Sequence, residues 1–307
     1  MKVPELLRYR APYDWPSMLE YLRARAIDGV EKIEGGTYLR TFCHEGETGT
    51  IEVAHTPRLG GLTVRSRMPS DRADASIVAR VRRVFDLDAD VKAIGRHLRR
   101  DPSLARHVAA RPGLRAPGGW DGFEIAARAV LGQQVSLEAG RRLVCQLARL
   151  AGSAHPASAR ARRAASSDDP ALTIVFPTAA QVATANLDAL RMPAARKNTL
   201  VAVARAACSD RLLFEAQGTL IETLTRLRAI PGVGDWTAHY IALRAAREPD
   251  AFPASDIGLL RGASLTGART RPTPAELLER AEPWRPWRAY AAQHLWAADA
   301  AARALRR

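Results

Sequence analysis

The hydrophobic pattern changes period near residue 90, and that change limits the chain to an α+β architecture with its two kinds of element segregated. Ahead of it, Thr37–Phe42, Gly49–Val53 and Leu62–Arg65 are short runs rich in β-formers, separated by Gly-containing turns. Trp15, Met18, Leu19 and Leu22 stand at helical spacing, and Ala75–Phe85 reads as a second helix. Residues 1–90 are expected to form a small antiparallel sheet with helices on one face. Beyond it, segments 91–100, 102–110, 121–150, 178–188, 194–208, 213–229 and 235–247 carry apolar residues at i, i+3, i+4 or are dense in Ala and Leu. Residues 91–307 are therefore expected to be mainly helical. Gly152–Pro170 is small, polar and basic and reads as a mobile insertion.

Composition narrows the function classes. A chain of 307 residues, 47% hydrophobic, can bury two or three cores. The formal charge of +14 suits a polyanionic partner, because Lys and Arg gain affinity by releasing counterions from phosphates. Cys43, Cys145 and Cys208 are scattered and odd in number, so they form neither a disulfide framework nor a metal-ligand spacing. The histidines never pair as H-E-x-x-H. Met1–Arg10 lacks an apolar h-region, and no apolar run reaches membrane-spanning length. A reducing, cytoplasmic setting close to nucleic acid is expected.

The sharpest local feature is Pro231-Gly232-Val233-Gly234 between two helical segments. Pro231 cannot continue the helix that ends near Ala229. Gly232 and Gly234 permit positive φ and leave no Cβ in the way of an approaching group. The second helix starts near Asp235, so backbone N–H groups stand free at its N-terminus, where a phosphate is held by unpaired donors and the helix dipole. An ordinary connection between two helices would use the same residues. Downstream, after a loop containing Pro249 and Pro253, Asp256 precedes another helix, either as a plain N-cap or as a carboxylate presented for chemistry.

Four blocks carry a resemblance. They are Ala11-Pro12-Tyr13-Asp14-Trp15; Arg111-Pro112-Gly113-Leu114-Arg115-Ala116-Pro117-Gly118 with Leu131-Gly132-Gln133-Gln134-Val135-Ser136; the hairpin with Asp256; and Trp284-Arg285-Pro286-Trp287-Arg288-Ala289-Tyr290 with His294-Leu295-Trp296. Together they resemble the bacterial inducible 3-methyladenine DNA glycosylases, the AlkA type of the helix-hairpin-helix superfamily. The resemblance implies a hairpin-bearing subdomain over 117–248 and a second helical subdomain built from 91–116 plus 249–307, with the site in the cleft between them.

It also implies roles. Asp256 would be the catalytic carboxylate of a monofunctional glycosylase that flips out and excises alkylated purines from double-stranded DNA. A 3- or 7-alkylated purine is cationic and leaves as a neutral molecule, so an anion near C1′ is needed more than a proton donor. Trp236, Tyr240 and Trp296 would form the base pocket, where aromatic faces favour electron-poor rings, although core packing would explain each of them as well. Relatives that also cut the backbone carry a Lys at the place of Trp236, and without an amine there is no imine route. The scattered cysteines cannot hold the [4Fe–4S] cluster of the endonuclease-like relatives.

Gln134 stands where the family often has a large apolar wedge that fills the gap left by the flipped base; a capping or buried polar role is the alternative. Backbone carbonyls of Arg228, Ile230 and Val233 would bind a Na or K ion at the hairpin. A monomer suffices for single-lesion chemistry. The competing readings are a non-catalytic DNA-binding protein of the same fold and a bifunctional glycosylase/lyase for oxidised bases.

Overall fold

The computed structural model describes residues 4–68, 75–155, 172–265 and 270–305. β1 (Glu5–Arg8) precedes α1 (Trp15–Arg23). β2 (Glu31–Glu34), β3 (Thr37–His44), β4 (Glu47–Thr56) and β5 (Gly61–Arg67) then join β1 in an antiparallel sheet of order β1-β5-β4-β3-β2. Alternation sends Tyr38, Phe42, Ile51, Val53, Leu62 and Val64 to one face. There they share a buried cluster with Trp15, Met18, Leu19 and Leu22 of α1 and with Ile77, Val81 and Val84 of α2 (Ala75–Val84). The helices thus lie on one face of the sheet. β1 and β2 were not anticipated: Glu-Leu-Leu-Arg and Glu-Lys-Ile-Glu are too short and too charged to show a period of two.

The rest is helical: α3 (Val91–Leu98), α4 (Pro102–Ala110), α5 (Gly122–Leu131), α6 (Leu137–Ala151), α7 (Ala179–Thr184), α8 (Ala194–Ser209), α9 (Leu220–Arg228), α10 (Asp235–Ile241), α11 (Ile257–Ser264), α12 (Pro274–Arg280) and α13 (Arg288–Ala304). A small ribbon, β6 (Ser153–Ala154) with β7 (Ile174–Val175), closes the end of α6. Ala126, Val130, Leu147, Leu200, Val203, Leu227 and Ile241 belong to one helical core, which also takes in Ile27 and Val30 from the first part of the chain. Ile94, Leu98, Leu104, Val108, Leu259, Trp284 and Leu295 belong to another. Among the described residues, no helix is long and apolar enough to cross a membrane.

Three sequence expectations are corrected. The single helix read over 121–150 is two, α5 and α6. Gly132 ends the first, Gln134 adopts φ 56°, and the Ser136 hydroxyl starts the second by accepting the Ala139 N–H at 3.2 Å. The helix read over 178–188 starts as expected at its capping box, Thr178/Gln181, but ends at Thr184, and the one read over 213–229 begins only at Leu220, where the Thr219/Glu222 capping box sets its start. Most of the insertion read at Gly152–Pro170 lies outside the described residues; Gly152–His155 ends α6 and carries β6.

Parts of two motif blocks are scaffold. Arg115, 2% exposed, donates to the carbonyls of Asp86, Ala89 and Pro12 and so ties the segment before α1 to the turn between α2 and α3. Arg288 clamps Asp250 through Nε (2.7 Å) and Nη2 (2.9 Å), with Arg285 joining it, so Asp250 is a structural anchor of α13.

His294, on the buried face of α13, is held down to about 4 by burial and by the nearby His107 and Arg111. Its folded value lies below its unfolded one, so its effect on stability is absent above about 6.5. As pH falls from there to 4, the unfolded chain takes up the proton first. We expect a loss of about 3 kcal/mol across that window. His294→Gln should flatten this part of the pH profile in urea melts; an unchanged profile would contradict the assignment.

Candidate active site

The site is assembled from the starts of two helices and the middle of a third. Trp236 and Tyr240, one turn apart on α10, stack with ring centroids 5.3 Å apart and planes 19° off parallel. Asp256 caps α11, its Oδ1 accepting the Leu259 N–H at 3.0 Å. The same oxygen accepts the Trp296 indole N–H at 2.8 Å, and Oδ2 accepts that of Trp236 at 2.9 Å. Asp256, Trp236, Tyr240 and Trp296 are all half-buried. A carboxylate offers about four lone-pair positions; three are filled by N–H donors, and Oδ2 keeps one for a ligand. The N-cap and the catalytic readings of Asp256 are therefore compatible, and both aromatic partners reach it by hydrogen bonds as well as by shape.

Residues not singled out from sequence complete the arrangement. Arg244, 1% exposed, lies in the π-helical turn Ala242–Ala246 that continues α10. Its guanidinium carbon is 4.8 Å from the Tyr21 ring, 5.1 Å from Trp296 and 5.8 Å from Tyr240. Pro117 O and Gln293 Oε1 fix its orientation at 2.8 and 2.9 Å. The spacing 236, 240, 244 puts Arg244 on the stripe of Trp236 and Tyr240, but spacing alone does not tell a buried arginine from a solvated one. Tyr21 had no such spacing, since it arrives from α1. Burial alone would raise its hydroxyl, but Arg244, Arg25 and the hydrogen bond with Tyr240 outweigh this and hold it below the usual tyrosine range. Burial, then Tyr21 itself, push Tyr240 the other way. His239 accepts the Phe252 N–H on Nδ1 at 3.1 Å, tying the loop that delivers Asp256 to α10. Burial lowers its pKa, against Asp235, which suits a neutral ring accepting on that nitrogen.

The hairpin between α9 and α10 is anchored from beneath by Ile230 and Val233, both buried, while Pro231, Gly232 and Gly234 are exposed. Arg228 and Asp235 bridge its two arms at 3.1 Å. Gln133 Nε2 donates to Gly232 O (3.3 Å) and Thr237 Oγ1 (2.9 Å), so the 132–136 loop is tied to the hairpin. Gln134 is exposed in that loop, with Val135 and Leu137 also exposed beside it, and is not the buried polar residue that was its alternative reading.

The two glycines differ. Gly232 has φ 84°, and a Cβ there would lie 1.8 Å from Thr199 Oγ1. At Gly234 a Cβ would meet nothing within 4 Å, and φ is −83°. Gly232→Ala is expected to cost about 2–4 kcal/mol from left-handed strain plus overpacking. Gly234→Ala should stay within about 1 kcal/mol, as Ala is only a poorer N-cap. Thermal melts of the two variants check this; equal losses would contradict it.

Known proteins share this fold. The overall architecture matches a 3-methyladenine DNA-glycosylase from Archaeoglobus fulgidus (TM-score 0.81, 17% identity, 96% of this chain and 98% of that one). It also matches an 8-oxoguanine glycosylase/lyase from Clostridium acetobutylicum in complex with double-stranded DNA (TM-score 0.71, 14% identity, 99% of each). The fold is that of the helix-hairpin-helix DNA glycosylases. Residues 6–121 match the AlkA N-terminal domain model. The chain is 33% identical over 293 residues to DNA-3-methyladenine glycosylase 2 of Escherichia coli, covering 94% of this chain and 95% of that protein. It is 36% identical over 299 residues to a probable bifunctional transcriptional activator/DNA repair enzyme AlkA of Mycobacterium tuberculosis. There it covers 94% of this chain but 56% of the relative, so it spans little more than half of that protein's length. The chain belongs to the AlkA family of DNA-3-methyladenine glycosylases.

Proposed function

We propose that this chain is a monofunctional DNA glycosylase that removes alkylated purines by hydrolysing the N-glycosidic bond of a flipped nucleotide. The observation that carries this reading is the convergence of the Trp236 and Trp296 indole N–H groups on Asp256. Pure binding needs no carboxylate held between two aromatic rings. Asp256 faces C1′ through the free lone pair of Oδ2, stabilises the oxocarbenium ion and orients the attacking water. Trp236, Tyr240 and Trp296 stack on the base. Arg244 already sits against Tyr240 and Trp296, so the cation–π attraction left for a base is smaller than bare rings would supply, and stacking carries more of the binding. The place of a lyase lysine is filled by Trp236, whose indole nitrogen is no nucleophile, which supports hydrolysis without strand cleavage.

The exposed N–H groups at Gly232 and Gly234 take a phosphate of the lesion strand, and Gln134 enters the gap left by the flipped base. A monovalent cation fits the hairpin carbonyls. That of Ile230 accepts the Val233 N–H at 3.0 Å and keeps a second lone pair, and no amide of the turn closes on those of Arg228 or Val233. The partner is duplex DNA, the working form a monomer, and the setting the cytoplasm.

The test is incubation with methylated duplex DNA. Free 3-methyladenine is expected, with strand breaks only after alkali. No released base would leave the non-catalytic reading; borohydride-trapped nicking without alkali would leave the lyase.

A further inference from the structure

Lys92, Arg96, Arg99 and Arg100 lie along α3 and its C-terminal turn at i, i+4, i+7 and i+8, and all four are exposed. Elsewhere many surface arginines are ion-paired, as Arg65 with Glu52, Arg82 with Asp88 and Arg142 with Glu138. Among the described residues these four have no carboxylate within ion-pair distance. The nearby acids are bonded to other partners, although Arg96 lies near enough to Asp90 to help lower its pKa. Asp90 caps α3 through Ala93 and pairs with Arg10 at 3.7 Å, and Asp101 caps α4 and accepts the Trp284 indole. The opposite stripe of α3, Val91, Ile94 and Leu98, is buried, the last two against α4.

The stripe is also remote from the candidate site. His294 neighbours His107 and Arg111 at α4, whereas Trp296 meets Asp256. Two residues on a helix are about 200° apart, so α13 turns one face to α4 and nearly the opposite face to the site. α3 packs on α4, α4 on α13 and α13 on α11, so α4 and α13 lie in the packing chain between the basic stripe and the helix that Asp256 caps.

We infer that the α3 stripe is a second nucleic-acid contact, which holds a stretch of duplex DNA separate from the one gripped by the hairpin. Four cations over about 12 Å of helix match a strand that presents one phosphate per about 3.4 Å of axis. Backbone contacts of this kind carry no sequence information, so the surface takes undamaged duplex. A protein holding two segments passes between them without full release. The inference rests on the DNA-binding reading above.

The test preloads the protein with a short duplex carrying a stable abasic analogue and titrates in a second, labelled, unmodified duplex, read by anisotropy over a salt series. Four phosphate contacts give a log–log slope of about −3.6, so the second duplex should bind about 150-fold more weakly at 200 than at 50 mM salt. In the variant Lys92→Gln/Arg96→Gln/Arg99→Gln/Arg100→Gln, this second binding should vanish, while excision from a short methylated duplex and the melting temperature stay unchanged. The inference is overturned if the wild-type protein takes no second duplex, if the variant binds it equally, or if excision falls along with it. Absence of base release from the wild-type protein would instead count against the glycosylase reading and leave the second-duplex measurement standing.

Discussion

Asp256→Asn is expected to lower single-turnover release of 3-methyladenine about a thousandfold. A carboxylate about 4 Å from a full positive charge, at an effective dielectric constant near 20, supplies about 4 kcal/mol, and that much of a barrier is about three powers of ten. The amide removes this charge, and it also breaks the hydrogen-bond logic of the site. Asp256 accepts from Trp296 on one oxygen and from Trp236 on the other. An Asn has one acceptor and one donor end, so one indole N–H then faces an NH₂ group. The cap of α11 survives, because Asn serves that role as well as Asp. The variant should therefore melt within about 1 kcal/mol of the wild type and still bind an abasic-analogue duplex. A loss of release below tenfold, with folding intact, would remove Asp256 from the chemistry.

That prediction combines what was readable in the sequence with what was not. Asp256, Trp236, Tyr240 and Trp296 were legible because the hairpin is a local signal, with Pro231 and two glycines between periodic segments, and the aromatic residues belong to motif blocks. The reason they cooperate was not legible. Trp236 and Trp296 are far apart in sequence, and only packing of α10, α11 and α13 brings both indole nitrogens to one carboxylate. Arg244 and His239 were missed although they share a helix with Trp236. A lone Arg or His in an Ala-rich segment gives no hint whether it is a solvated charge or, like Arg244, buried against rings. In the fold, the segregation of sheet and helices followed from the change of period, and α1 was visible in its four buried apolar positions. The break between α5 and α6 was hidden because Gln133, Gln134 and Val135 tolerate a helix. It is interrupted locally, by Gly132 ending α5, a positive φ at Gln134 and the Ser136 cap, and held by the tertiary tie from Gln133 to the hairpin.

Arg40→Met is expected to cost about 3–5 kcal/mol of stability, because it leaves a buried charge uncompensated. Arg40 on β3 is 2% exposed and donates to Glu124 Oε2 on α5 at 2.8 Å, while Arg128 bridges Glu124 (2.8 Å) and Glu31 (2.6 Å). Tyr38 donates to Glu31 at 2.7 Å. Two arginines thus balance two glutamates at the seam between sheet and helices; with Arg40 gone, Arg128 alone faces both acids. Burial would raise the Glu124 carboxyl, but Arg40, then Arg128, outweigh it and hold it at about 2, below its ordinary 4.5. Its contribution is therefore complete above about 4.5 and is lost as pH falls toward 2. Removing Arg40 moves that value up, so the variant has less to lose on acidification, and the gap between the two proteins should narrow below pH about 4.5. Glu124→Gln added to Arg40→Met restores a balanced Glu31–Arg128 pair and should recover a substantial part of the loss. Urea melts at neutral and acid pH measure both effects. A single variant within about 1 kcal/mol of wild type, or a gap that widens in acid, would show that the seam is held by packing around Tyr38 and the buried Trp120, whose ring Arg40 also faces, and not by the ion network.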